Sequence, residues 1–254
     1  MKQNEEQLRD DIVRVGRLCW EKGWVASNDG NISIRLDADR ILCTPTGISK
    51  GMMKPSDLII VDMTGRKIAG ERACTSEINM HLEIYRLRAD IHAVVHCHPP
   101  TATGFAAAGR TLNQAVLPEV IVMLGCVPLA EYGLPGTDAL TKPMRPLIPN
   151  HNAILLGNHG ATCYGADVWK AYFLMETVEH SAKITLVAEQ LGGPKLLPRQ
   201  EVDKLFEARA RYGVASMNQM TPGCPIVAED EGAEKITLTR EELIALIDEA
   251  MRMR

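Results

Sequence analysis

Apolar residues recur at helical spacing near the start of the chain: Leu8, Ile12, Val15 and Cys19 share one face within residues 5 to 22, and Gly23 follows where a helix would stop. The period then shortens to two. In "SNDGNISIRLDADRILCTPTG", Ile32, Ile34 and Leu36 alternate with polar residues, and "DAD" separates them from a second apolar run, the pattern of a two-stranded hairpin. "DLIIVD" (57 to 62), followed by "MTGRKIAGE", predicts another strand and a turn. Helical spacing returns from Thr75, with Ile78, Leu82 and Tyr85 behind a Thr-Ser pair able to cap a first turn. "HAVVHCH" predicts a buried strand, "VIVMLGCVPLAEYG" one or two more, and "NAILLGNHGATCYG" a further strand with a turn. A long helix over 167 to 191 closes at Gly192 and Gly193, and another runs from about residue 200 to 212. Strands gathered between helices predict an α/β fold, a three-layer α/β/α sandwich. Short turns between strand pairs make its central sheet mixed and largely antiparallel.

After Tyr212 the chain turns to a Pro/Gly segment, "TPGCPIVAEDEG", and then to "TREELIALIDEAMRMR", where Thr239 and Glu242 form a capping-box pattern. The expected organisation is a catalytic domain over residues 1–220 and an extension over 221–254 that ends in a helix. A net charge of −4 offers no broad attraction for nucleic acid or an anionic membrane. The charged start is unlike a signal peptide, and no apolar run approaches the roughly 18 residues of a membrane span. Seven cysteines with no C-x-x-C pair argue against a disulfide framework and fit free thiols in a reducing compartment. Together these features predict a cytoplasmic protein acting on a small molecule.

Candidate chemistry starts at His96 and His98. Two residues apart at the end of an apolar strand, they project from one face about 7 Å of chain apart, a spacing that suits two nitrogens on one cation. An arbitrary H-x-H pair is more often two surface or hydrogen-bonded imidazoles, but this one precedes a loop, where α/β sheets open their sites. His159 ends a second apolar strand beside Gly160. Three neutral imidazoles would leave an open position on a divalent cation such as zinc. Glu77, expected in the first turn of the helix opening at Thr75, is the candidate acid/base group, with a carboxylate that merely complements the helix dipole as the alternative. His81, one turn on, is either a partner to Glu77 or a packing residue. His92 and His151 read as surface or packing residues, and His180 as solvated. "SNDGNIS", "CTPTGISKG" and the Thr75-Ser76 pair could cradle a phosphate through backbone amides and hydroxyls, although none matches a nucleotide-binding loop.

The ordered set "SNDGNIS", "TPTG", "TSE", "HCH", "PLAEYG" and "GNHG" resembles the class II aldolase/adducin family from about residue 5 to 213. The resemblance implies a homotetramer with active sites between subunits, and zinc, or another divalent metal such as Mn2+ or Co2+, held by His96, His98, His159 and Glu77. Glu77 would also be the catalytic acid/base. A substrate phosphate would be bound at Gly30, Asn31, Thr46, Gly47, Thr75 and Ser76, and a catalytic aromatic residue would fall on Tyr212. The implied reaction is cleavage of a small phosphorylated sugar, L-fuculose 1-phosphate or a related deoxy-pentulose phosphate, to dihydroxyacetone phosphate and an aldehyde. One departure stands out: Val122 occupies the position of an expected catalytic tyrosine, in a segment read as a strand, and Tyr132 is the nearest substitute. The family also implies alternatives, a metal-dependent decarboxylase, a sugar-phosphate dehydratase or a non-catalytic adducin-like module, while its pentulose-phosphate epimerases carry Asp at the position of Glu77.

Overall fold

The computed structural model of the protein describes residues 4–212, 224–228, 239–242 and 244, leaving aside the side chains of Ala210 and Tyr212. Helix α1 (Glu5–Glu21) opens with the Asn4 side chain accepting from the Glu6 amide, and its apolar stripe Ile12, Val15 and Cys19 is buried. The hairpin follows as β1 (Asn31–Arg35) and β2 (Arg40–Cys43), then β3 (Ile59–Asp62) and β4 (Lys67–Ala69). Helix α2 (Ile78–Leu87) leads into β5 (Ala93–Cys97) and α3 (Pro100–Ala107). Next come α4 (Pro118–Met123), β6 (Leu129–Ala130), α5 (Asp138–Thr141), β7 (Ala153–Leu156), β8 (Gly160–Gly165), the long α6 (Val168–Gln190) and α7 (Arg199–Ala208).

The strands form one eight-stranded sheet in the order β4-β3-β2-β1-β5-β8-β7-β6. Only the β6–β7 pair is parallel among the described strands; the others are antiparallel. Side-chain alternation sorts the residues of each strand between two cores. Ile32 and Ile34 of β1 and Ala93, Val95 and Cys97 of β5 face α1, α3 and α6, packing with Ile12, Val15, Phe105 and Met175. Val94 of β5 and Tyr164 of β8 face the other way, against Met80, Leu82, Ile84 and Tyr85 of α2 and Leu140 of α5. The result is the expected α/β/α sandwich. Each fully buried aliphatic side chain in it contributes about 1.5–3 kcal/mol.

Two segments depart from the pattern reading. "VIVMLG" is helical rather than extended, and only Leu129–Ala130 of the following run is strand. Pro118 sits at the start of α4, where its missing N–H costs nothing. Val120 then packs into the core beneath α6 while Ile121 packs with Val202 of α7, so tertiary burial overrides the β-branched propensity. The Pro-Pro break after His98 likewise opens a helix, α3, rather than a loop. The free-thiol expectation fails at one pair: Cys126 and Cys224 form a disulfide, with Cα atoms 6.0 Å apart across a sequence separation of 98. That pairing is created by tertiary folding, so no local spacing announces it. Within the extension, residues 224–228 run along the body, where the Ala115 amide donates to Ile226 O at 2.8 Å and the Ala228 amide to Leu197 O at 3.0 Å. The capping box is present, with the Thr239 amide donating to Glu242 Oε2 at 2.7 Å and the Glu242 amide to Thr239 Oγ1 at 3.3 Å. The rest of the last helix pattern, from residue 245 on, lies outside the described residues.

Candidate metal centre and active site

The alternation that builds the core also builds the site. On β1 the odd positions Asn31 and Ser33 are polar and face α2, and the antiparallel register sets Asn31 opposite His96 on β5. His96 falls on the same sheet face as Val94, completely buried. His98 lies just beyond the strand, before α3. His159 comes from the loop joining β7 to β8, where Asn158 takes a left-handed conformation (φ 53°) that asparagine tolerates better than most residues. Gly160 is required beside it, because a Cβ there would lie 2.6 Å from both Cys97 O and His98 Cδ2. Gly30 is required for a similar reason, with φ +70° and a would-be Cβ 2.8 Å from His96 O.

These constraints bring the three imidazoles together. Their ring centroids are 4.8–5.1 Å apart, and one ring nitrogen from each lies within 4.8 Å of the others. His96 Nδ1–H donates to Ala161 O at 2.9 Å, which leaves a lone pair on His96 Nε2, only 3.2 Å from His98 Nε2. Glu77 closes the group, with Oε1 3.2 Å from His159 Nε2 and Oε2 3.4 Å from His96 Nε2. It is the residue that precedes α2 rather than one inside the first turn, and it makes no capping bond with its side chain. The dipole-complementing alternative is thereby set aside, since the carboxylate turns into the histidine cluster.

The donor set fits a divalent cation. Glu77 Oε1 is buried and accepts no well-formed hydrogen bond, an arrangement that ordinarily costs about 1–3 kcal/mol or more. A cation between the carboxylate and the imidazoles removes that cost. Burial lowers the His96 pKa to about 3 and also lowers that of His98. Burial pushes the Glu77 carboxyl up, but the adjacent His96 and His159 rings and the Asn31 amide outweigh it and hold the group well below the usual carboxylate range. Neutral imidazoles and an ionised carboxylate are the protonation states a metal needs.

Behind Glu77 runs a buried chain of hydrogen bonds. Tyr85 OH is 2.7 Å from Ser33 Oγ, which is 2.7 Å from His81 Nδ1; His81 Nε2 is 2.5 Å from Asn31 Oδ1, and Asn31 Nδ2 donates to Glu77 Oε2 at 2.8 Å. Donor bookkeeping fixes the directions. The Asn31 amide gives its N–H to the carboxylate, so its carbonyl faces His81 and His81 Nε2 must carry the proton. His81 Nδ1 then accepts from Ser33, and Ser33 accepts from Tyr85. Every donor points toward Glu77, and cooperative polarisation strengthens such a chain. Burial keeps His81 neutral, with its pKa lowered to about 4. His81 is therefore the partner that spacing left undecided.

The hydroxyl-bearing segments are also neighbours. Pro45 and Cys74 form a backbone bridge, and the Thr46 amide donates to Ala73 O at 3.1 Å, so Thr46 and Gly47 lie beside Thr75 and Ser76. Thr75 Oγ1 accepts from the Glu77 amide at 3.4 Å. Gly47 has φ +71° with open space around it. Asn31 differs from expectation in one respect: Glu77 and His81 already engage both ends of its amide. Of the tyrosines, Tyr132 is 59% exposed, its backbone running beside Gly157, and the Tyr212 side chain lies outside the described part. Val122 is buried within α4, and its carbonyl accepts from Arg209 Nε at 2.9 Å.

Three residues escaped the pattern reading. Lys50, 2% exposed, donates from Nζ to Asn28 O at 2.9 Å and Ile48 O at 3.1 Å, tying the "SNDG" loop to the "TPTG" loop. Asp29 Oδ2 is 3.5 Å from His98 Nδ1, on the side of the ring away from the cluster. Glu179 of α6 accepts from the Thr101 and Ala102 amides at the start of α3. A lysine inside a Gly/Ser/Thr-rich loop was the one visible signal; the two carboxylates carry none.

Comparison with known proteins identifies the family. The model of the Class II Aldolase and Adducin N-terminal domain matches residues 10–186. The chain is 33% identical over 210 residues to 5-deoxy-D-ribulose 1-phosphate aldolase of Bacillus thuringiensis serovar kurstaki, covering 82% of this chain and 98% of that protein. It is 30% identical over 197 residues to 3-oxo-tetronate 4-phosphate decarboxylase of Pectobacterium atrosepticum, covering 76% and 88%. A solved L-fuculose 1-phosphate aldolase superposes with a TM-score of 0.75 at 30% identity, covering 82% of this chain and 96% of the other. The extent of these matches settles the family: the chain belongs to the class II aldolase and adducin family and is a lyase of that family.

Proposed function

We propose that the protein is a metal-dependent aldolase that cleaves a short ketose 1-phosphate, such as L-fuculose 1-phosphate or a deoxy-pentulose 1-phosphate, to dihydroxyacetone phosphate and an aldehyde. The observation that carries this reading is Glu77, a buried carboxylate 3.2 Å from His159 and 3.4 Å from His96, beside two loops of small hydroxyl residues. His96, His98 and His159, with Glu77, would hold zinc or a similar divalent ion. When bound, such an ion supplies Lewis acidity to the ketose carbonyl. Backbone amides and hydroxyls at Gly30, Thr46, Gly47, Thr75 and Ser76 bind the phosphate, which fixes the distance from phosphorus to the bond that breaks. In cleavage, the C4 hydroxyl loses its proton as the C3–C4 bond breaks, and C3 gains one. Glu77 handles the proton at C3. Tyr132, Tyr212 or water takes the C4 hydroxyl proton. The assembly we infer is a homotetramer with sites between subunits, which would bring a second chain's residues to the exposed side of the site. Light scattering on the purified protein measures that mass.

A decarboxylase reading has its own support in the decarboxylase relative and in Val122. Loss of carbon dioxide leaves no alkoxide proton to manage, so a tyrosine at that position would be dispensable. A screen of ketose 1-phosphates and phosphorylated 3-oxo acids, reading dihydroxyacetone phosphate against carbon dioxide, separates the two. We expect dihydroxyacetone phosphate from the first class, and turnover lost in Glu77→Gln with fold and metal retained. Carbon dioxide alone would replace the aldolase reading. Undiminished turnover in Glu77→Gln would remove that residue from the chemistry.

A further inference from the structure

Away from the histidine cluster, a second group of soft ligands converges. The sulfurs of Cys126 and Cys224 and a ring nitrogen of His151 all lie within 4.8 Å of one another. They come from three separate stretches: the turn after α4, the loop before β7, and the segment 224–228 that runs along the body. Cys126 and His151 are 5% and 4% exposed. His151 Nδ1–H donates to Leu147 O at 2.9 Å, which makes Nε2 the basic nitrogen of the ring. Metal-binding histidines are oriented by such a bond from the other ring nitrogen to a backbone carbonyl. Burial lowers the His151 pKa, so the imidazole is neutral at physiological pH.

We propose that Cys126, His151 and Cys224 form a second metal site, selective for a thiophilic divalent ion such as zinc, and that the disulfide between the two cysteines is its oxidised, metal-free state. Zn–S and Zn–N bonds of ~2.3 and ~2.0 Å place neighbouring ligand atoms roughly 3.3–3.8 Å apart. Side-chain rotation within the present cluster reaches those separations once the S–S bond is broken. A dithiol reductant gives two electrons and two protons to the disulfide and ends as a disulfide itself. Zinc then displaces the two thiol protons. Oxidation reverses the exchange and expels the ion. Either covalent or metal bonding pins the 224–228 segment to the turn after α4, so the tail stays attached across changes in redox state.

The test uses the full chain, reduced with a phosphine or oxidised with diamide, equilibrated with Zn2+ and freed of excess. Zinc per chain is measured by atomic spectrometry and free thiols are counted. The reduced protein should hold one more equivalent of zinc than the oxidised protein and show two more thiols. Cys224→Ser and His151→Ala should each lose that equivalent while keeping the first, whereas His96→Ala should lose the first and keep this one. Equal zinc in the reduced and oxidised chains, or in the reduced wild type and Cys224→Ser, overturns the proposal, as does a bond that the phosphine does not open in the folded protein. Cys224 lies on a peripheral segment, so its variant remains informative if His151→Ala misfolds.

Discussion

Asn31 and Glu77 stand 46 residues apart in the chain, yet the Asn31 amide donates to Glu77 Oε2 over 2.8 Å inside the protein. The other end of the same amide accepts from His81, so one side chain fixes the carboxylate and the ring behind it. Asn31→Ala leaves the His81 N–H without an acceptor and Glu77 free to rotate. We expect kcat to fall about 10- to 100-fold, the cost typical of losing a partner behind a metal ligand. KM should change less, because the Asn31 amide is already engaged at both ends by Glu77 and His81, and the other phosphate-segment residues are kept. Steady-state kinetics with a metal assay on the same sample checks this, and an unchanged kcat would show that Glu77 holds its position without the amide.

Gly160 gives a steric test of the histidine cluster. The methyl of Gly160→Ala would sit 2.6 Å from Cys97 O and from His98 Cδ2, closer than unbonded heavy atoms approach. The His98 ring can swing aside, but the Cys97 carbonyl is backbone, so the end of β5 that carries His98 must shift as well. We expect zinc affinity to drop at least about tenfold while circular dichroism is preserved. Zinc titration with a competing chelator measures it, and wild-type affinity would place His98 outside the ligand set.

Lys50 is a buried cation that donates to two backbone carbonyls. Lys50→Met keeps the apolar stem and removes the donor, leaving the Asn28 and Ile48 carbonyls short of a partner at a cost of about 1–3 kcal/mol. Because those carbonyls belong to the two loops assigned to phosphate, KM for a phosphorylated substrate should rise several-fold, with kcat nearly unchanged. Urea unfolding and kinetics read the two effects separately. Lost stability with an unaltered KM would confine Lys50 to a structural role.

The pattern of apolar positions made the layers legible because β1 alternates between apolar and polar positions while β5 and β7 are nearly unbroken apolar runs, the imprint of strands buried on both faces. His96, His98 and His159 were legible for the same reason: imidazoles at the ends of apolar strands interrupt a pattern that hydrophobic burial otherwise sets. Residues whose roles arise from packing were not. Glu179 and Asp29 are ordinary acidic residues until α3 and His98 are placed against them. The α4 segment has the composition of a strand, and its helical state depends on α7, an element that lies more than 70 residues further along. The Cys126–Cys224 pair likewise exists only once the tail is laid along the body.

Glu179 supplies the last test, because it connects α6 to the candidate metal centre without touching it. Its Oε2 accepts from the Ala102 amide at 2.8 Å and its Oε1 from the Thr101 amide at 3.0 Å. These are unsatisfied donors at the start of α3, and Pro99 in front of them offers no capping side chain. The carboxylate therefore caps α3 from another helix and meets the positive end of its dipole. His98 is separated from α3 by Pro99 alone, so freeing that end loosens one ligand while His96, held inside β5, stays put. Glu179→Ala should lower stability by about 1–2 kcal/mol, the usual cost of a lost cap, and weaken zinc binding about tenfold. Glu179→Gln, which keeps an acceptor but no charge, should fall between the two. Unfolding curves and chelator competition on both variants decide it, for a cap that serves only the helix would lower stability in each and leave metal affinity where it was.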